Sequence, residues 1–226
     1  MKQIYICGDS FAVTDTEYGN YTWVEQLANL PNVSITNLAS VCASNLLINL
    51  QVNEAINNRA DYIIVLCTAV TRSEVLFAHT DNVSENLFNR FYNLTSNKVD
   101  ADITTYTTLN LSTATALSDN QKTLLARYNK EFFDLDLAIY RDCCIIENTL
   151  QKLVDSNIPF IFDQGGFEHK SYSGTKNYFN KFDSFKSKLN IWDYSTVRTH
   201  RPYFHITDSK IHKTIAEYYA NKINKA

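Results

Sequence analysis

The sequence predicts an α/β sandwich built on a parallel sheet, and three observations carry the prediction. Short apolar runs rich in β-branched residues recur along the chain, and segments of helical periodicity separate them. The 226 residues are enough for one sizeable core and rather few for two. Alternation of this kind implies crossover connections, because parallel strands cannot be joined by tight turns. A single domain spanning 1–226, with one insertion, is expected.

The elements follow in order. Gln3 to Cys7 reads as the first strand, Tyr21 to Leu30 as a helix, and Val33 to Leu38 as the second strand. Asn45 to Asn58 has helical spacing, and Tyr62 to Cys67 is the third strand. From about residue 77 to 118 the chain is dense in Thr, Asn, Ser and Asp, as in "DADITTYTTLNLSTATALSDN", which reads as a polar insertion. A long helix is expected from about Asp119 to Ser156, then a fourth strand from Pro159 to Phe162. Gly165 to Asn190, rich in Tyr, Phe, Lys and Ser, reads as a loop with a short helix. A final helix from Ser209 buries a stripe of Ile211, Ile215, Tyr218, Tyr219 and Ile223.

Composition narrows the function. Hydrophobic residues at 45% and charged residues at 20% exclude wholesale disorder. A net charge of -3 and a pI near 5.9 provide no field to collect phosphate backbones, so nucleic acid is not an expected partner. The apolar run after Lys2 is too brief for a signal-peptide core and no later run approaches a membrane span, so a cytoplasmic protein with no membrane partner is expected. Cys7, Cys42, Cys67, Cys143 and Cys144 are an odd set without metal-type spacing, which fits a reduced compartment. The histidines at 79, 169, 200, 205 and 212 show no ligand spacing, so no metal is expected. The first βα loop has a single glycine, Gly8, at the strand end, no G-x-G-x-x-G and no P-loop lysine, which argues against a nucleotide and leaves no cofactor expected.

In a doubly wound sheet, ligands collect beyond the carboxyl ends of the strands. The first strand ends in Gly8-Asp9-Ser10-Phe11, where Ser10 is either a nucleophile or the N-cap of a following helix. The second ends in the small-residue turn "NLASVCASN", whose N–H groups can face the same crevice. The third ends in "CTAVTRSE", where Arg72 is a permanent cation able to hold a carboxylate or a developing oxyanion. Late in the chain, His205 stands just before the last helix and can reach a site from a loop. His212 lies inside that helix and reads as a satisfied structural histidine.

Taken together, "ICGDSF", "NLASVCASN" and "HITDSKIHKTIAEYY" resemble the first, second and last blocks of the SGNH, or GDSL-like, hydrolases. The segments "IIVLCTAVTRSE" and "YRDCCIIENTLQKLVDSNIPFIF" are similar to a subset of these proteins common in bacteriophage genomes. The resemblance implies a three-layer α/β/α sandwich of flavodoxin-like order with about five parallel strands. It implies Ser10 as nucleophile and His205 as the base, with the oxyanion held by the Ser10 N–H, a backbone N–H at Cys42 and a side chain of the third block. Asp9, Cys42, Thr68 and Arg72 are therefore the candidate oxyanion and substrate-binding residues.

The chain departs from the family pattern at Cys42, where a glycine is usual, and at Thr68 to Val70, where an asparagine is missing. Pro202 stands where an aspartate usually orients the histidine, leaving a Ser-His dyad with Asp193, Asp208 or a carbonyl to hold the ring. The implied activity is that of an esterase or deacetylase removing a small acyl group, with a carbohydrate as candidate carrier. The alternative is a catalytically impaired SGNH-like phage structural or glycan-binding protein, placed in host cytoplasm or virion.

Overall fold

The computed structural model describes residues 1–13, 22–40, 43–70, 72–74, 105–107, 130–168, 179–194 and 208–226, with residues 123, 126, 127 and 206. The insertion expected at about 77–118 lies outside the described residues except at 105–107.

The chain alternates as its hydrophobic pattern demands. Strand β1 (Lys2–Cys7) leads to helix α1 (Trp23–Ala28), β2 (Val33–Asn37), α2 (Asn45–Asn57) and β3 (Tyr62–Leu66). A short pair follows, β4 (Arg72–Glu74) antiparallel to β5 (Thr105–Thr107). Helix α3 (Leu135–Ser156), strand β6 (Phe160–Asp163) and helix α4 (Ser209–Ile223) complete the set. The main sheet among the described residues has four strands in the order β2-β1-β3-β6, all parallel.

Period-two alternation sorts the strand side chains into two cores. Ile4, Ile6, Ile64, Leu66 and Ile161 pack with Trp23 and Leu27 of α1 and with Ile215 and Tyr219 of α4. Cys7, Ile63, Val65, Phe160 and Phe162 pack on the other face with Leu47 and Val52 of α2 and with Leu150 and Leu153 of α3. The result is the expected α/β/α layering, with α1 and α4 on one side and α2 and α3 on the other.

Local chemistry sets the helix ends. Thr22 accepts from the Glu25 N–H while Glu25 reaches back to the Thr22 N–H, a capping box that starts α1. The long helix expected from 119 is interrupted. Helical residues run to Glu131, the chain breaks at 132–134, and Asp134 caps a new helix by accepting from the Leu137 N–H at 2.8 Å. At its far end Asn157 takes a left-handed φ of 56° and Pro159 follows, so α3 stops there.

Helix α2 is weakly amphipathic because its buried face carries carboxamides. Asn45, Asn49 and Gln51 are all buried beside Leu47, Ile48 and Val52. Asn49 donates to Thr149 of α3. Asn45 and Gln51 reach the other way, toward the strand ends.

Gly165 closes the turn after β6 with a φ of +50°, and a Cβ there would stand 2.4 Å from the Cys67 carbonyl oxygen. Both the backbone conformation and the space require glycine. Gly165→Ala is expected to lower stability by about 2–4 kcal/mol, the sum of a left-handed penalty and an overpacking cost. A fall in the urea midpoint at constant m is the check.

Candidate functional site

The strand order places β2 on one side of β1 and β3 on the other, so the direction of winding reverses at β1. The crevice at a carboxyl-end switch point of this kind is where α/β proteins take their ligands. Here it lies between Gly8–Phe11 after β1 and Thr68–Arg72 after β3.

Gly8 brings the β1 end hard against β3, since a Cβ on it would meet Leu66 Cβ at 3.0 Å. Its peptide has left the sheet ladder and is held by α2. Gln51 Oε1 accepts from the Gly8 N–H at 2.7 Å and Gln51 Nε2 donates to the Gly8 carbonyl at 3.3 Å. The Ser40 N–H also donates to that carbonyl. Asn45 treats Thr68 the same way: its Oδ1 accepts from the Thr68 N–H and its Nδ2 donates to the Thr68 carbonyl, both at 2.9 Å. Two carboxamides thus stand where further peptide groups would be, and both crevice loops are fixed to one helix.

Asp9 turns inward. It is fully buried, and its Oδ1 accepts from the Phe11 N–H while its main-chain carbonyl accepts from the Ala12 N–H, which together make a tight turn. Its Oδ2 accepts from Thr68 Oγ1 and from Arg72 Nη1, each at 2.8 Å. A second Nη1 bond, at 3.1 Å, goes to the Ala43 carbonyl. Trp192 lies against the Arg72 guanidinium, 5.8 Å from ring centroid to Cζ, and stacks on Phe11 with centroids 4.8 Å apart.

Two expectations change on this geometry. Asp9 does not face a substrate, because its carboxylate oxygens are occupied inside the protein. The hydroxyl hydrogen of Thr68 is committed to Asp9, so that hydroxyl has no proton to offer an oxyanion. Ser10 emerges differently. Residues 10–13 form a turn and bend rather than a helix, and α1 is capped by Thr22, so Ser10 is not an N-cap. Neither its N–H nor its Oγ makes a hydrogen bond among the described residues. Cys42 and His205, like Pro202, lie outside the described residues.

His212 matches its sequence reading. Its Nδ1 accepts from the Trp23 N–H at 3.2 Å and its Nε2 lies 2.9 Å from the Ile206 carbonyl, which assigns a neutral ring with the proton on Nε2. The residue after His205 is thereby tied to both α1 and α4.

Cysteine chemistry finds no support here. Burial pushes the Cys7 and Cys67 thiols far up, and Cys143 up to about 12, so all three stay protonated and unreactive. Among the described residues no three His, Cys, Asp or Glu side chains gather as a metal site. No helix of the described chain is long and apolar enough to cross a membrane.

No family model matches the chain, and no curated protein matches it. Among solved structures, the chain is similar to the psychrotrophic esterase EstA from Pseudoalteromonas sp., in a structure inhibited by monoethylphosphonate. The TM-score is 0.52 at 10% identity, over 100% of this chain and 98% of that one. The chain has the fold of an esterase. At this identity the similarity speaks for the fold alone.

Behind the crevice, the buried Asp142 of α3 accepts from Asn45 Nδ2 at 2.7 Å and from Arg141 Nε at 2.8 Å. Arg141 also reaches the Val70 and Arg72 carbonyls, at 3.5 and 3.4 Å. Desolvation raises the Asp142 pKa above its ordinary value, opposed by the Asn45 bond and the Arg141 charge. The native state therefore holds this proton more tightly than the unfolded chain does. The stability it contributes is present below the unfolded carboxyl pKa and is lost as pH rises through the raised folded value. Between about pH 4 and pH 7 the wild type should lose stability relative to Asp142→Asn, read from urea midpoints at each end of that carboxylate range. A constant difference between the two proteins would contradict this.

Proposed function

We propose that the chain is a serine ester hydrolase acting on small acyl groups. The observation that carries the reading is Ser10, whose N–H and Oγ make no hydrogen bond among the described residues at the switch point, while Gly8 and Asp9 before it are both held by neighbouring side chains. A nucleophile needs that freedom, and a serine kept for structure would normally spend its hydroxyl.

The resemblance in the last block supplies His205 as the base. Ser10 Oγ bonds to the acyl carbon, the carbonyl π pair moves onto oxygen, and the hydroxyl proton passes to the His205 ring. Collapse of the intermediate breaks the bond to the alcohol, which leaves with that proton. Water then repeats the sequence on the acyl-enzyme and releases the carboxylic acid. The oxyanion formed at each addition is met by the Ser10 N–H. A carbohydrate ester is the proposed substrate class, since the half-buried Trp192 stands beside Arg72 at the crevice and aromatic faces suit sugar rings.

Wild type is expected to hydrolyse p-nitrophenyl acetate and to be labelled by a fluorophosphonate probe. Ser10→Ala should lose labelling entirely and at least about a thousandfold of the turnover, as removal of a nucleophile does. Equal labelling and turnover by the two proteins would remove Ser10 from the chemistry. A folded wild type that shows neither would favour a glycan-binding protein that keeps the esterase fold without its reaction.

A further inference from the structure

We propose that Arg72 is an oxyanion donor, filling the role left by the missing asparagine of the third block, and that Asp9 is its positioning residue. This rests on the esterase reading above.

The guanidinium sits where the three sequence blocks meet. Its Nη1 bonds reach Asp9 of the first block and the Ala43 carbonyl of the second, and its own carbonyl is held by Arg141 of α3. Asp9 precedes Ser10 and Phe11 follows it. The guanidinium is bonded to the one, and its neighbour Trp192 stacks on the other. Ser10 is thus bracketed by residues that locate the cation.

One edge of that cation is spent and the other is not. The Nη1 hydrogens are used by Asp9 and Ala43, while the Nε and Nη2 hydrogens make no hydrogen bond among the described residues. The side chain is only 9% exposed. Neither nitrogen is among the fully buried atoms that lack a partner, so the unused donors are the part of the guanidinium still open to the crevice, where an acceptor can reach them.

Charge balance decides which acceptor. Asp9 and Arg72 sum to zero at rest. A substrate carboxylate at the open edge would leave a net negative charge that no unpaired cation among the described residues of the crevice offsets. An oxyanion carries the same charge but arises in the same step as the proton on His205, so the total stays at zero throughout. The pair is therefore matched to a charge present only during the reaction, which is how binding energy raises kcat rather than only lowering KM. Thr68 cannot share the task, because its hydroxyl proton is already given to Asp9.

The test compares wild type, Arg72→Ala, Arg72→Lys and Asp9→Asn on a neutral ester, p-nitrophenyl acetate, and an anionic one, mono-p-nitrophenyl succinate, with thermal melts to confirm folding. Arg72→Ala should lose about a hundredfold to a thousandfold in kcat on both esters at little change in KM, the size of a lost oxyanion donor. Added guanidinium ion should restore part of that loss. Arg72→Lys should stay impaired, because a point charge cannot serve Asp9, Ala43 and an oxyanion together. Asp9→Asn should lower kcat on both esters with KM kept. The proposal is overturned if folded Arg72→Ala, or folded Arg72→Lys where the alanine variant does not fold, keeps the wild-type kcat on acetate. It is equally overturned if the only change is a raised KM for the succinate. A wild type that neither hydrolyses these esters nor takes the fluorophosphonate label refutes the esterase reading itself, and this proposal with it.

Discussion

A buried ion pair between Asp9 and Arg72 governs the crevice. Taking both charges out of water costs several kcal/mol per ion, so the arrangement persists only if the remaining hydrogen-bonding positions are filled. On the carboxylate they are: the Phe11 N–H, the Thr68 hydroxyl and Arg72 Nη1 occupy its oxygens. Those bonds also shape the turn that presents Ser10, because the carboxylate that balances the cation is the one that folds residues 9–12 back on themselves. Electrostatics and backbone geometry are therefore one constraint, and Ser10 stands beside it with its own polar groups unspent.

That constraint would not hold on a soft support. Strand ends at a switch point have lost their ladder partners, and unpaired peptides there would leave the loops free to move. Helix α2 removes that freedom with Gln51 on Gly8 and Asn45 on Thr68. Helix α3 adds Asp142 behind Asn45 and Arg141 on the Val70 and Arg72 carbonyls. One layer of the sandwich thus holds both walls of the crevice. The opposite layer ties down the residue after His205, through His212.

Most of the fold was legible because its signals are local. The β-branched runs became strands β1, β2, β3 and β6 nearly to the residue, and the stripe of the last helix became the buried face of α4. The Thr22–Glu25 capping box was equally available as T-x-x-E and marks the true start of α1, two residues later than periodicity alone suggested. The break before Asp134 was missed because apolar periodicity runs through Phe132 and Phe133, whereas an N-cap aspartate in the middle of a polar-rich stretch is easily read as surface. In the site, Ser10 and Arg72 were visible as residue types at strand ends. The inward turn of Asp9, the commitment of Thr68 to it and the carboxamides of α2 were not. Each depends on which way a side chain points after the strands diverge, and tertiary packing settles that. The available trace was an asparagine-rich helix whose hydrophobic period is weak where it ought to be strong, at Asn45, Asn49 and Gln51.

Whether the guanidinium meets the oxyanion beside Ser10 is read most directly from a crystal structure of the protein inactivated by an alkyl phosphonate. Its phosphonyl oxygen mimics the charge of the tetrahedral intermediate. The predicted result is a bond from phosphorus to Ser10 Oγ, with that oxygen about 2.7–3.1 Å from both the Ser10 N–H nitrogen and an Nε or Nη2 atom of Arg72, and Nη1 still on Asp9. An adduct whose oxygen points away from Arg72, or an Arg72 that has left Asp9 to reach it, would contradict the account.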